Sequence, residues 1–373
     1  MKESLLNREL LTRWTELFGD ISYLKAKFLS IFGKEKALED PDFKGLLNTA
    51  RIIKATVAGE MSDFKELKSV VKRQLYFSTV EVSLFLFAIR HPKAFLKYVS
   101  RYLYPGYKKS LEGFIKNEKN KIFLAHNFIG ARRALLCLCA GFLQNGRKLL
   151  LYVDEPLFIL LKKMFEEILK STKNEDAKVE AYEDREFVVK GSYLSEYFGN
   201  ESNDSELCFL NCRKKENFLK AYKAVEKDNY SIALIPEVPI ETNRKIKVSF
   251  LNKILAFPAG IEMLAGKDAS IVSIVPDASD GVLDMRLSVE EIEQNGKSMT
   301  QIFQAIVDKY ERLAFVNPEL FIPFNYFNMW LDLFDKNGEE AILDVLRDRG
   351  KCYVLLTNGD VYVGSYKQLQ QWI

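Results

Sequence analysis

Histidine is nearly absent from this 373-residue chain, which has two, His91 and His126. Its five cysteines, Cys137, Cys139, Cys208, Cys212 and Cys352, form no CxxC pair. That scarcity argues against a zinc site, so no metal is expected. The odd cysteine count fits reduced, cytosolic thiols, because the opening MKESLLNRELLTRWTELFGD is charged throughout and does not read as a secretion signal. A glycine-rich phosphate cradle is also missing: GFLQNG has neither the Walker spacing nor its lysine. No G-x-S-x-G elbow occurs, so serine hydrolase chemistry has no motif behind it. A formal net charge of +3, spread over mixed Lys and acid clusters, singles out no polyanionic partner. The basic residues do not follow the arginine/aromatic pattern of nucleic-acid readers, and no nucleic acid is expected. No uninterrupted apolar run reaches the roughly 20 residues that a bilayer span needs.

What is present is an ordinary folded composition, 48% hydrophobic and 28% charged. At this length one large domain with an appendage, or two domains, is expected. Twenty-seven Phe and 17 Tyr are many. A thick core accounts for them, and so does an apolar ligand pocket or a membrane-facing surface. Residues 75–107, LYFSTVEVSLFLFAIRHPKAFLKYVSRYLYPGY, are both basic and aromatic. They read either as an interfacial helix or as a helical hairpin buried against the main domain.

Apolar spacing of three and four residues predicts helices over 1–110, closed by YPGY at 104–107. From residue 120 the pattern alternates. KIFLAH, KLLLYVD, SELCFLN, SIALIPEV, KIKVSFL and SIVSIVPD read as strands, with helices between most of them. This rhythm predicts an α/β domain over 111–334, with a mostly parallel central sheet flanked by helices. Residues 287–334 read as helical again, and TNGD near the end predicts a β-hairpin in a C-terminal extension over 335–373. Ligands of parallel sheets bind at the carboxyl ends of strands. His126, Asp154, Glu237 and Asp277 all fall at such ends.

The order of segments over roughly 115–330 resembles the lysophospholipid acyltransferase superfamily, and within it the bacterial lipid A late acyltransferases. The resemblance rests on His126 after KIFLA, on YVDEPLF at 152–158 and on Pro236-Glu237. It continues with Phe250 and Asn252, Pro258 to Gly260, Leu264-Ala265, Val275-Pro276 and ERLAFVNPELFIPF at 311–324. It implies a glycerol-3-phosphate acyltransferase-like fold and acyl transfer from an acyl carrier protein or coenzyme A thioester to a hydroxyl or amine of a lipid or small molecule. His126 would be the general base with Glu237 beside it as a catalytic candidate. Asn127, Arg132, Asp154, Arg244 and Phe250 would bind substrate. No cofactor is implied, and the setting would be cytoplasmic, peripheral at the inner face of the membrane.

The chain departs from that pattern at one place that matters. In the family an acid follows the histidine five residues on, and here that position is Ala131. Three readings of His126 remain open on the sequence. It is a base oriented by another group, such as Asn127, Asp154 or Glu237. Or the domain keeps an acyl-chain pocket and has lost or changed its chemistry. Or His126 is an ordinary core or surface histidine. Glu237, between Pro236 and Pro239, is either a substrate-facing carboxylate or a solvated loop acid. Arg132 and Arg133, at a helix start where the macrodipole disfavours cations, either meet an anion or form surface pairs.

Overall fold

A computed structural model describes residues 84–117, 121–126, 130–172, 176–182, 185–199, 204–238, 240, 242–250, 253–265, 270–277, 286–294, 296–316, 342–348, 351–356 and 361–369. The expected helices before residue 84 and the aromatic run 317–334 lie outside these residues. The described chain falls into two compact units. One holds the described residues up to Arg244 together with Pro258–Ile302, and the other holds Lys245–Phe257 and those from Phe303 on.

The first unit is built on an eight-stranded sheet of order β10-β9-β1-β6-β2-β5-β4-β3. Its strands are β1 (Lys121–Ala125), β2 (Lys148–Val153), β3 (Glu180–Tyr182), β4 (Glu186–Lys190), β5 (Glu206–Asn211), β6 (Ser231–Leu234), β9 (Ser270–Asp277) and β10 (Arg286–Ile292). The five middle strands, β9, β1, β6, β2 and β5, run parallel. Antiparallel strands close both edges, β10 beside β9 and β4 with β3 beside β5. The expected mostly parallel α/β sheet is therefore present. Strands such as KIFLA and SIAL are buried along their whole length. Continuous apolar runs of this kind are what a sheet covered on both faces requires.

Helices α3 (Ala131–Gln144), α4 (Glu155–Lys170) and α6 (Glu216–Lys227) make the crossovers, and the short α5 (Ser195–Phe198) lies between β4 and β5. The chain runs β1-α3-β2-α4 toward β5, then returns through α6 to β6, which lies between β1 and β2. Right-handed crossovers moving in opposite directions put α3 and α4 on one face and α6 on the other. Phe123 of β1 meets Phe142 of α3 edge to face at 5.8 Å. Phe158 and Phe165 of α4 pack on Phe187 and Phe209, whose rings stack at 4.2 Å. Much of the phenylalanine thus goes into core layers. Beyond its two N-terminal arginines, helix α3 is apolar on all sides and almost wholly buried. The outer side is covered by α2 (Tyr104–Lys116), which crosses so closely at Gly141 that a Cβ there would press on Tyr104 and Ile115.

Within 75–107, helix α1 (Pro92–Tyr98) and the π-helical turn Val99–Leu103 bury Phe95, Leu96, Val99 and Leu103 and expose Lys93, Lys97 and Arg101. Of the two readings of that stretch, its apolar side is packed on protein. Among the described residues no helix is long and apolar enough to cross a membrane.

Several sequence expectations change. Residues 286–292 form strand β10, where a helix was expected from 287, and the described helix α8 starts at Met299. RLSVEEI is rich in helix formers, but the open edge of β9 needs hydrogen-bond partners. Glu291 of β10 also takes both oxygens to the ammonium of Lys121, at 3.0 Å each, and Lys121 is only 1% exposed. A buried ammonium needs such a carboxylate. KIKVSFL does not join the parallel sheet. Its strand β7 (Lys245–Phe250) alternates exposed and buried residues and pairs only with β8 (Lys253–Pro258), a strand not expected from the sequence. The second unit also holds a three-stranded antiparallel sheet, β11 (Ile342–Asp348), β12 (Lys351–Leu356) and β13 (Val361–Ser365). Strands β12 and β13 are the expected hairpin arms, and β11 is an addition.

Gly191 follows β4 and donates its N–H to the Ser205 carbonyl at 2.8 Å. A Cβ there would lie 2.8 Å from the Ser205 Cβ and 3.0 Å from its carbonyl oxygen. Gly191→Ala is therefore expected to lower stability by about 1–3 kcal/mol, read as a lower denaturation midpoint in urea.

Candidate active site

The carboxyl ends of β1 and β6 lie side by side, with Leu124 opposite Leu234. The chain leaves β1 toward α3 on one face. It leaves β6 toward α7 (Gly260–Ala265), which packs on α6 on the other face. Neighbouring strands whose exits diverge in this way form the switch point at which such sheets bind ligands. His126 and Glu237 come from its two sides.

Each is aimed by simple local means. The His126 N–H donates to the Ile274 carbonyl at 3.3 Å, extending the β1–β9 ladder by one residue. Gly130 then turns the chain into α3 with φ at 103°, a region that suits glycine. Glu237 sits in a turn closed by the Val238 N–H on the Ile235 carbonyl at 3.3 Å. Pro236 occupies the second turn position, where its fixed φ is favoured. That turn presents the Glu237 carboxylate to the histidine.

His126 Nδ1 lies 2.9 Å from Glu237 Oε1, and His126 Nε2 lies 3.2 Å from the hydroxyl of Ser273. A carboxylate at Glu237 can only accept, and the contact then selects the Nδ1–H tautomer as donor. The Nε2 lone pair is then left to accept from Ser273 Oγ–H. Ser273 stands opposite Leu124 in the β1–β9 register and so shares a sheet face with it, opposite to Phe123. His126 is 1% exposed, Glu237 0% and Ser273 2%. Hydroxyl, imidazole and carboxylate form one continuous buried relay.

The other candidate residues are dispersed. Asp154 stands at the N-cap of α4 at the end of β2, one strand beyond β6, with Arg132 half-buried in the first turn of α3. Arg244 is 79% exposed and pairs with Glu262 of α7 at 2.7 Å, so its partner is not the histidine. Phe250 is buried in β7 of the second unit. Asn127 lies outside the described residues, and Asp277 is the last residue of β9. Cys137 and Cys139 are buried, as a core position implies. Burial pushes the Cys139 thiol up to about 12, which keeps it an unreactive thiol near neutrality. Among the described residues no group of three or more His, Cys, Asp or Glu could hold a metal ion.

Sequence reasoning did not find Ser273. Its signal was faint: the second of two hydroxyls in SIVSIV, flanked on both sides by apolar residues. Comparison with protein-family models gives no match, and comparison with curated proteins gives none.

Burial raises the Asp154 carboxyl above the ordinary aspartate value, while the charges of Arg132 and Arg213 pull it the other way. The folded chain then holds a proton that the unfolded chain has already released, so Asp154 lowers stability as pH rises above about 3.9. Asp154→Asn is expected to raise the thermal midpoint at pH 7. The gain should vanish below the ordinary aspartate range, where both states are protonated. A series of melts across pH, wild type against variant, checks both signs.

Proposed function

We propose that this chain is an acyltransferase, moving an acyl group from an acyl-carrier-protein or coenzyme A thioester to a hydroxyl or amine of a lipid or small-molecule acceptor. The observation that carries the reading is the 2.9 Å contact between His126 Nδ1 and Glu237. The family that the sequence resembles places an acid five residues after its histidine, and Ala131 leaves that place empty. Glu237 supplies the same chemistry from the neighbouring strand: it holds one tautomer, orients the ring and balances the imidazolium that forms. Nε2 then takes the acceptor's proton as the thioester carbonyl is attacked. A glycerol-3-phosphate acyltransferase-like arrangement belongs to the same proposal, as does peripheral contact with a membrane. Exposed Lys93, Lys97 and Arg101, with Tyr102 at 58% exposure, offer a basic face for anionic lipid.

Burial of all three relay side chains favours a second reading, a lapsed module that binds acyl chains or a carrier protein without turnover. Transfer of labelled acyl groups from acyl carrier protein or coenzyme A to an acceptor panel separates the two. Under the acyltransferase reading His126→Ala abolishes transfer. Glu237→Gln, which keeps the shape and loses the charge, lowers kcat by about 10²–10⁴. Binding of the acyl carrier with no transfer to any acceptor would decide for the module. Unchanged turnover by His126→Ala would remove the base assignment.

A further inference from the structure

The acyltransferase reading needs only a base and its orienting acid. The third member of the relay is unassigned. Ser273 Oγ stands 3.2 Å from Nε2, the nitrogen that must act as base, and it is 2% exposed on a strand whose other side chains from 271 to 275 are apolar and buried. A hydroxyl, an imidazole and a carboxylate linked in that order are the working parts of a nucleophilic triad, which is recognised by geometry and roles and not by sequence motif. Stability does not explain the arrangement. Burying a carboxylate and an imidazole carries a desolvation penalty, and apolar side chains of similar volume would fill the same space at no loss. The neighbouring parallel strands show how readily this sheet buries Leu, Ile and Val instead. A merely structural serine would have to justify all three polar groups at once.

We infer that Ser273 is a nucleophile, so that transfer proceeds through an acyl ester on Ser273 rather than directly from donor to acceptor. This rests on the acyl-transfer reading for its donor and acceptor, while the acylation of Ser273 itself does not. In the first half, Ser273 Oγ attacks the thioester carbonyl as its proton passes to His126 Nε2. The C–S bond breaks, and the departing thiolate takes that proton and leaves as the free thiol. In the second half, the acceptor hydroxyl or amine gives its proton to Nε2 and attacks the ester carbonyl. The C–Oγ bond breaks, and Ser273 recovers the proton from His126. Glu237 holds Nδ1 throughout and balances the imidazolium in both halves. Ser273 pairs with Leu124, one residue inside the last β1–β9 pair, so the acyl carbonyl reaches it from the carboxyl edge of the sheet.

The test uses the full chain with two probes: octanoyl-coenzyme A, and p-nitrophenyl octanoate, an activated ester that needs no carrier recognition. Intact-mass analysis after acid quench should show one octanoyl group added, and peptide mapping should place it on residue 273. Ser273→Ala should lose the adduct and reduce turnover by at least about a thousandfold. Ser273→Cys should trap the group as a thioester on the same residue. Transfer by the wild type with no adduct, and with Ser273→Ala within about threefold of it, would overturn the nucleophile and leave direct acyl transfer standing. An adduct on Ser273 from the activated ester, with no transfer from any thioester, keeps the nucleophile and removes the acyltransferase reading. Absence of an adduct from both probes on the folded wild type overturns the proposal.

Discussion

Strand β1 is hydrogen-bonded on both sides by strands that come much later in the chain, β6 on one side and β9 on the other. Everything distinctive about the candidate site depends on that double pairing. It brings Glu237 to a histidine 111 residues away and Ser273 to one 147 residues away. Neither contact is local, and neither could form if β6 were inserted elsewhere in the sheet. The return of the chain through α6 therefore places the candidate site as well as closing the core.

Burial sets the energetic terms on which the relay exists. The middle strands are apolar along their length and shielded on both faces, so a polar group among them must find partners or destabilise the sheet. The chain meets that demand at both ends of β1. At the start, the Lys121 ammonium is held by Glu291 and the Ser270 hydroxyl. At the end, the His126 ring is held at both nitrogens. The first pairing ties the edge strand β10 across β9 to β1, and its carboxylate is 45% exposed. The second is buried on all three members, and it sets an imidazole between a hydroxyl and a carboxylate. The same pattern of a buried polar group held by a neighbouring strand thus serves register at one end and builds the candidate site at the other.

Reading the fold from the sequence succeeded where a segment carried its own evidence. KIFLA, KLLLYV and SIAL are too continuously apolar to be anything but buried elements, and Pro156 in the first turn of α4 marks a helix start. It failed where a neighbour decides. RLSVEEI has residues that suit a helix and becomes a strand because β9 offers it an edge. KIKVSF alternates its lysines with apolar residues, a signature of a strand with one wet face, and it stands apart from the parallel sheet for that reason. Strand β3 is three residues long and sits at the far edge, where few apolar residues are needed to hold it.

The site divides along the same line. The sequence alone determined that His126 and Glu237 sit at strand ends of an α/β sheet, since strand length and polarity change at those residues. It also determined that no acid lies one helical turn beyond the histidine. Only the tertiary structure decided that Glu237 hydrogen-bonds the imidazole and that Ser273 completes the row. Strand order and register are properties of long-range pairing, and they are what turn three residues scattered over 126–273 into one hydrogen-bonded line.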